Sequence, residues 1–269
     1  MKRSFIVLTA LALSSAVIFA AGKGNEKKSK NAKKAKAPEF VRVESKTFVM
    51  GNNEEHETEH EAWVSEFFIC THEVTQEEYK RLMKKNPSKH KGKNLPVENV
   101  SWYDAIEYCN RRSLEEGYTP CYTDGFEYDI CADGYRLPTE TEWEFAARGG
   151  KISNGFTYSG SDDVESVAWY MNNSGNKPHQ VMTKEANELG IYDMSGNVAE
   201  WCWDWYGNYP SNREDIDPTG PSSGERRIHR GGSYCYSIDN CSGTFRNCDS
   251  PDYTGSGVGF RVVRSGPRG

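Results

Sequence analysis

From Gly150 to Ser233 the chain carries almost no hydrophobic periodicity. The stretch is glycine, asparagine, proline and aromatic residues, among them Trp169, Trp201, Trp203 and Trp205. Neither a helical nor a strand period runs through it. A long irregular stretch inside a compact domain has to be fixed by covalent or metal staples. There is no clean internal repeat. Regular elements are readable mainly before it and after it. Thr75-Gln-Glu-Glu78 is a capping box that opens a helix through Leu82, which stops before Asn86-Pro87. Ser101-Trp-Tyr-Asp104 opens a second, with Ala105, Ile106 and Cys109 on one face. Pro138-Thr139-Glu140-Thr141-Glu142 opens a third, with Trp143, Ala146 and Ala147 on one face, ended by Gly149-Gly150. Strand-like runs are Phe48–Met50, Trp63–Ile69, Ile228–Arg230 and Val258–Val263. The expectation is one α+β domain over residues 38–265, low in regular structure.

The rest of the 269 residues reads as targeting and tether. Met-Lys-Arg, an apolar run from Phe5 to Ala21 and then Gly22 form the pattern of a signal peptide over residues 1–22. No cysteine ends that run to take a lipid anchor. Residues 23–37 are mostly Lys, Ala, Asn and Gly, a disordered linker by composition. The linker takes much of the positive charge out of a chain of net charge -6, so the body is acidic and no nucleic-acid partner is expected. Export leaves periplasmic, cell-surface and secreted destinations open. Eight cysteines in an exported chain point to disulfides. Cys121 and Cys131, flanking Thr123-Asp124-Gly125, are the best local pair.

Arg230-Gly231-Gly232-Ser233-Tyr234 and Gly259-Phe260-Arg261 frame a segment of different character. From Tyr234 to Gly257 there is no Lys, Glu, Gln, Met or Trp, and every residue there can be encoded by a codon ending in C. Tyrosine offers rigid amphipathic contact, while Ser, Gly and Asn adapt their hydrogen bonds, which suits recognition.

Phe48-Val-Met-Gly51, Glu73-Val-Thr-Gln76, Pro96–Trp102, Tyr135–Arg148, Gly190–Trp205, Arg230–Tyr234 and Gly259–Arg261 together resemble the sulfatase-modifying-factor family, the formylglycine-generating-enzyme domain. The resemblance implies a C-type-lectin-like fold with few regular elements. Its enzymes bind copper(I) through two cysteines after the Gly-Gly-Ser, which suits soft thiolates. Here Cys241 matches the second, but the position of the first is Tyr236, and Cys235 stands one residue early. One step along extended backbone turns a side chain to the other face. If the chain is an oxidase, Cys235, Cys241 and Ser233 would be its site and copper its cofactor. A non-catalytic branch of the family is the better match, through Ser233, Tyr234, Cys241, Phe245-Arg246, Pro251-Asp252 and Gly259–Arg261. Some of its members are variable proteins of diversity-generating retroelements, in which randomised template adenines leave such a codon pattern. On that reading the ligand face is Tyr234, Cys235, Tyr236, Ser237, Asp239, Asn240, Ser242, Asn247, Cys248, Asp249, Tyr253, Thr254 and Ser256. The ligand is a protein or glycan left unnamed, and the oligomeric state is open. A structural envelope protein is the remaining alternative.

The resemblance also implies a structural calcium, held by the Asp193 side chain, the Gly196 and Val198 carbonyls and the Glu200 side chain. Three weaker signals carry little. His56-Glu-Thr-Glu-His60 satisfies HExxH, but in an acidic run between strands rather than on a helix. Lys84–Lys93 reads as a solvated basic loop, and Trp201–Trp205 as core rather than a sugar platform.

Overall fold

The computed structural model describes residues 39–52, 59–129, 131–209 and 215–266. The expected signal peptide and linker, and the first part of the HExxH run, lie outside the described residues. Four strands open the domain: β1 (Phe40–Val43), β2 (Lys46–Met50), β3 (His60–Val64) and β4 (Phe67–Cys70). Helices α1 (Gln76–Met83) and α2 (Trp102–Glu116) follow, then β5 (Tyr135–Arg136), α3 (Glu140–Ala147) and the short α4 (Val164–Val167). The second half holds β6 (Ala199–Trp205), β7 (Asp215–Ile216), β8 (Arg227–Arg230), β9 (Arg246–Asp249), β10 (Val258–Gly259) and β11 (Val263–Ser265). They make three small sheets, ordered β1-β4-β11-β5, β10-β6-β8-β9 and β2-β3-β7.

The first three helices begin where local chemistry sets them. Thr75, Ser101 and Thr139 each accept a backbone N–H from the residue three further on, and that residue's carboxylate returns the bond. Each reciprocal cap contributes on the order of 1 kcal/mol. α1 and α2 pack Tyr79, Trp102, Ile106 and Tyr108 into a core with Trp201 and Phe260. α3 is not amphipathic as expected. It is buried on every side, including its three glutamates. Each is met by arginine: Glu140 by Arg246, Glu142 by Arg136, and Glu144 by Arg230 and Arg148. Pairing is what allows three carboxylates inside a protein.

Two strand expectations are corrected. Trp63–Ile69 is two strands in different sheets, broken at exposed Ser65, whose N–H donates to Asp217 Oδ1 at 2.6 Å. Val258–Val263 likewise leaves one sheet as β10 and enters another as β11. The irregular stretch hides the seven-residue β6, buried along most of its length. Buried side-chain amides help to fix this stretch. Asn187 donates to the Ala146 carbonyl at 2.8 Å and Ser159 Oγ at 3.0 Å, and accepts the N–H groups of Leu189 and Ile191. All eight cysteines are free thiols. Cys121 is buried with its Sγ 4.0 Å from the Ala132 carbonyl, whereas Cys131 is exposed.

Candidate binding surface

The segment after the double glycine sits on a backbone turn that only glycine fits easily. Gly231 and Gly232 have φ of 93° and 70°. A Cβ on Gly232 would strike the Asn240 carbonyl, and one on Gly231 would lie 3.0 Å from the Trp143 ring. The chain then becomes tied to the framework through its backbone. Tyr234 N–H donates to the Asn197 carbonyl at 2.8 Å, and Ser174 Oγ–H donates to the Tyr234 carbonyl at 2.7 Å. Met171 N–H reaches the Tyr236 carbonyl, and Ser195 Oγ–H reaches that of Cys241. β9 pairs antiparallel with β8. Trp102, Asn99 and Ala199 donate to the carbonyls of Pro251, Gly255 and Gly257.

With its backbone held, the segment sorts its side chains. Asp239, Asp252, Tyr253 and Thr254 are exposed. Cys235, Tyr236, Ser237, Asn240, Asn247, Cys248, Asp249 and Ser256 are half-buried. Tyr234 and Ser242 face inward, at 3% and 6% exposure, and serve as struts. The Tyr234 hydroxyl donates to Ser256 Oγ at 3.0 Å, and its ring meets His90 edge-on at 5.5 Å. Cys235, Tyr236, Asp249 and Tyr253 converge. Burial, then the neighbouring Cys235, Tyr253 and Asp249, pushes the Tyr236 phenol up to about 12. Asp249 also reaches down to buried His229, at 3.0 Å from its Nε2. Two exposed apolar residues join this face without having been expected there: Ile238, and Met171, which no pattern within the segment could signal.

The two cysteines of the oxidase alternative have separate surroundings. Cys235 Sγ lies 3.2 Å from Ser233 Oγ, beside Tyr236 and Tyr253. Cys241 is buried with Val164, Ala168 and Tyr170, its Sγ 3.8 Å from the Ser237 carbonyl. Burial pushes the Cys241 thiol up to about 12. The pair does not fit a copper site.

The expected calcium ligands have other occupations. Glu200 accepts Arg261 Nε and Nη2 at 2.6 Å each and Trp143 Nε1 at 2.7 Å. Asp193 Oδ2 accepts the Met182 N–H at 2.8 Å. Beside them Glu73, also buried, accepts the Val198 N–H at 3.0 Å and the Asn197 amide at 2.6 Å. Burial and the charges of Asp193 and Glu200 hold Glu73 well above the usual carboxylate range. Arg261 thus neutralises Glu200, while Asp193 Oδ1 has no partner among the described residues. Among the described residues no group of three or more His, Cys, Asp or Glu is arranged to hold a metal. His60, the last histidine of the HExxH run, begins β3 and packs on Tyr209 at 4.7 Å.

The tryptophan run divides. Trp201 is core, while Trp203 and Trp205, with Trp102, surround the guanidinium of Arg227 at 4.9, 3.5 and 3.9 Å. Burial in that aromatic cage pulls Arg227 down to about 10.

Comparison with known proteins agrees with this geometry. The family model of the Sulfatase-modifying factor enzyme 1-like domain matches residues 25–266. The chain is 40% identical over 237 residues to the chaperone protein LppX of Paenibacillus barcinonensis, covering 75% of this chain and 81% of that protein. It is 32% identical over 187 residues to the formylglycine-generating enzyme of Streptomyces coelicolor, covering 63% and 52%. Across several other curated relatives it spans between 38% and 55% of their own length. The solved structure of Treponema denticola variable protein 1 superposes with a TM-score of 0.79 at 34% identity, covering 84% of this chain and 95% of that one. The chain belongs to the sulfatase-modifying factor enzyme 1-like domain family, in the C-type-lectin-like form of its fold.

Proposed function

We propose that this chain is an exported binding protein without catalysis of its own. Its ligand face is the outward part of Tyr234–Gly257: Cys235, Tyr236, Ser237, Asp239, Asn240, Asn247, Cys248, Asp249, Tyr253, Thr254 and Ser256, with Tyr234 and Ser242 as its floor. The observation that carries the reading is the division of labour in this segment. Backbone groups are held by Asn197, Ser174, Met171, Ser195 and β8, while Tyr236, Asp249 and Tyr253 gather on the outside. Such a platform tolerates changes of side chain without changes of shape, which a diversified receptor requires. The separation of Cys235 from buried Cys241 argues against the oxidase. Export rests on the pattern of residues 1–22 and agrees with a face that recognises a protein or glycan outside the cell.

The test is the coding locus. A near-copy of the segment encoding Tyr234–Gly257, with adenines at the differing positions and a reverse transcriptase beside it, is the expected finding. A fixed sequence without such a copy removes diversification. Aldehyde formed on a Cys-x-Pro-x-Arg peptide by the copper-loaded protein would replace the binding reading with the oxidase.

A further inference from the structure

The basic loop that reads in sequence as a solvated surface is a built structure. Gln76, at 2% exposure, donates from Nε2 to the carbonyls of His90 and Pro96 and accepts at Oε1 from Asn86 Nδ2 and the Gly92 N–H. Glu98 is fully buried, accepts the His90 N–H at 2.7 Å and lies 3.4 Å from His90 Nδ1. Ser88 Oγ accepts the Glu98 N–H. Three buried polar side chains thus fix a loop that carries its lysines outward.

Against this loop stands a second wall, joined to it by the Val181 N–H to the Asn94 carbonyl at 3.0 Å. His179 on that wall is stacked on Trp169 at 3.7 Å, and its Nε2 donates to the Ser174 carbonyl. Between the walls lies a cavity of about 400 Å³ whose lining includes His90, Lys91, Lys177, His179 and Gln180 but no carboxylate. Lys91 borders this cavity while its Nζ donates to the Asn86 carbonyl at 2.9 Å on the side of the adjoining cavity, and Lys177 is exposed. Glu98 stands behind His90, shut off from solvent, and Glu77 lines the adjoining cavity that Lys91 also borders. In a chain of net charge -6, this is a local excess of positive charge on a prefixed frame.

We propose that this pocket binds an anionic group, a phosphate, sulfate or carboxylate. Lys91 and Lys177 supply the charge, and His90, His179 and Gln180 line the cavity around it. Lysine ammonium groups act on such anions as point charges with rotatable donors. The pocket lies outside Tyr234–Gly257 and does not depend on the function proposed for that segment. His90 meets Tyr234, the buried floor of that segment, edge-on at 5.5 Å.

Calorimetric titration of the full chain with inorganic phosphate, inorganic sulfate and acetate, at ionic strength held with chloride, tests this. The expected result is saturable binding of at least one anion, weakened at least about tenfold in the Lys91→Ala/Lys177→Ala double variant and unchanged in Lys151→Ala. Phosphate alone, sulfate alone or acetate alone identifies the ester or carboxylate that the pocket prefers. Lys177→Gln, changed at an exposed position, serves if the double variant does not fold, and should also weaken binding. No saturable binding of any of the three, or equal binding by folded wild type and variants, overturns the proposal.

Discussion

Arg261 presents Nε and Nη2 to the two carboxylate oxygens of Glu200, 2.6 Å from each, at the centre of the domain. Nothing about the guanidinium is left to water. Nη1 donates to the Cys70 carbonyl at 3.0 Å and Nη2 to that of Tyr192 at 2.8 Å. The pair joins the end of β10 to β6 and draws in Trp143 of α3 through Glu200. Removing one partner leaves a charge buried and uncompensated. Arg261→Met is therefore expected to destabilise by about 3–5 kcal/mol. Denaturant unfolding reads this directly, and a loss under about 1 kcal/mol would show that the pair is dispensable.

Asp193 sits in the same interior with only one of its oxygens bonded, and its Oδ1 has no partner among the described residues. Burial is the main reason its carboxyl is pushed up to about 6 from an ordinary 3.8. A raised carboxyl pKa in the folded state means the folded protein holds a proton that the unfolded chain releases. The stabilisation from this group is full below about pH 4 and is lost as pH rises through about 6. Asp193→Asn removes that slope. Its backbone φ of 60° is one that asparagine adopts readily. The variant is expected to gain on the order of 1–3 kcal/mol over wild type above pH 7, with little difference near pH 4. Parallel stability curves for the two proteins across that range would refute the assignment.

The thiols should separate by reactivity. Cys131 is exposed and Cys235 half-buried, whereas Cys241 is enclosed and its thiol is held up to about 12. Alkylation of the native protein at pH 8 followed by peptide mapping is expected to label Cys131 first, Cys235 next, and Cys241 only after unfolding. Rapid joint labelling of Cys235 and Cys241 would mean that the two form one accessible site after all.

What the sequence makes legible follows the reach of each interaction. Thr75, Ser101 and Thr139 mark their helices because a capping box closes within four residues. β6 escapes notice because its partners β8 and β10 are distant in the chain and it is buried on both faces, so no alternation marks it. An irregular chain has to be fixed, and Asn187, Asn197 and Arg261 contribute to this through long-range hydrogen bonds that no local pattern announces. The double glycine announces the binding segment. Which tyrosine is strut and which is surface is not local: the backbones of both are held, yet the Tyr234 ring packs inward against His90 and Ser256 while Tyr236 two residues later stays half-open.

That distinction yields the last prediction. If frame and face are separable, the combined variant Tyr236→Ser, Asp239→Asn, Tyr253→Asn, Thr254→Ser should unfold within about 1 kcal/mol of wild type, since each position is exposed or half-exposed and three of the four changes affect exposed side chains. Tyr234→Ala empties a buried aromatic site and severs the bond to Ser256, with an expected cost of about 3–5 kcal/mol. Gly232→Ala forces a Cβ into the Asn240 carbonyl at φ 70° and should cost well over 1 kcal/mol. Urea unfolding of the three variants compares them on one scale. Four surface changes costing as much as Tyr234→Ala alone would mean that the segment's side chains build the fold, and the idea of a tolerant display surface would have to be given up.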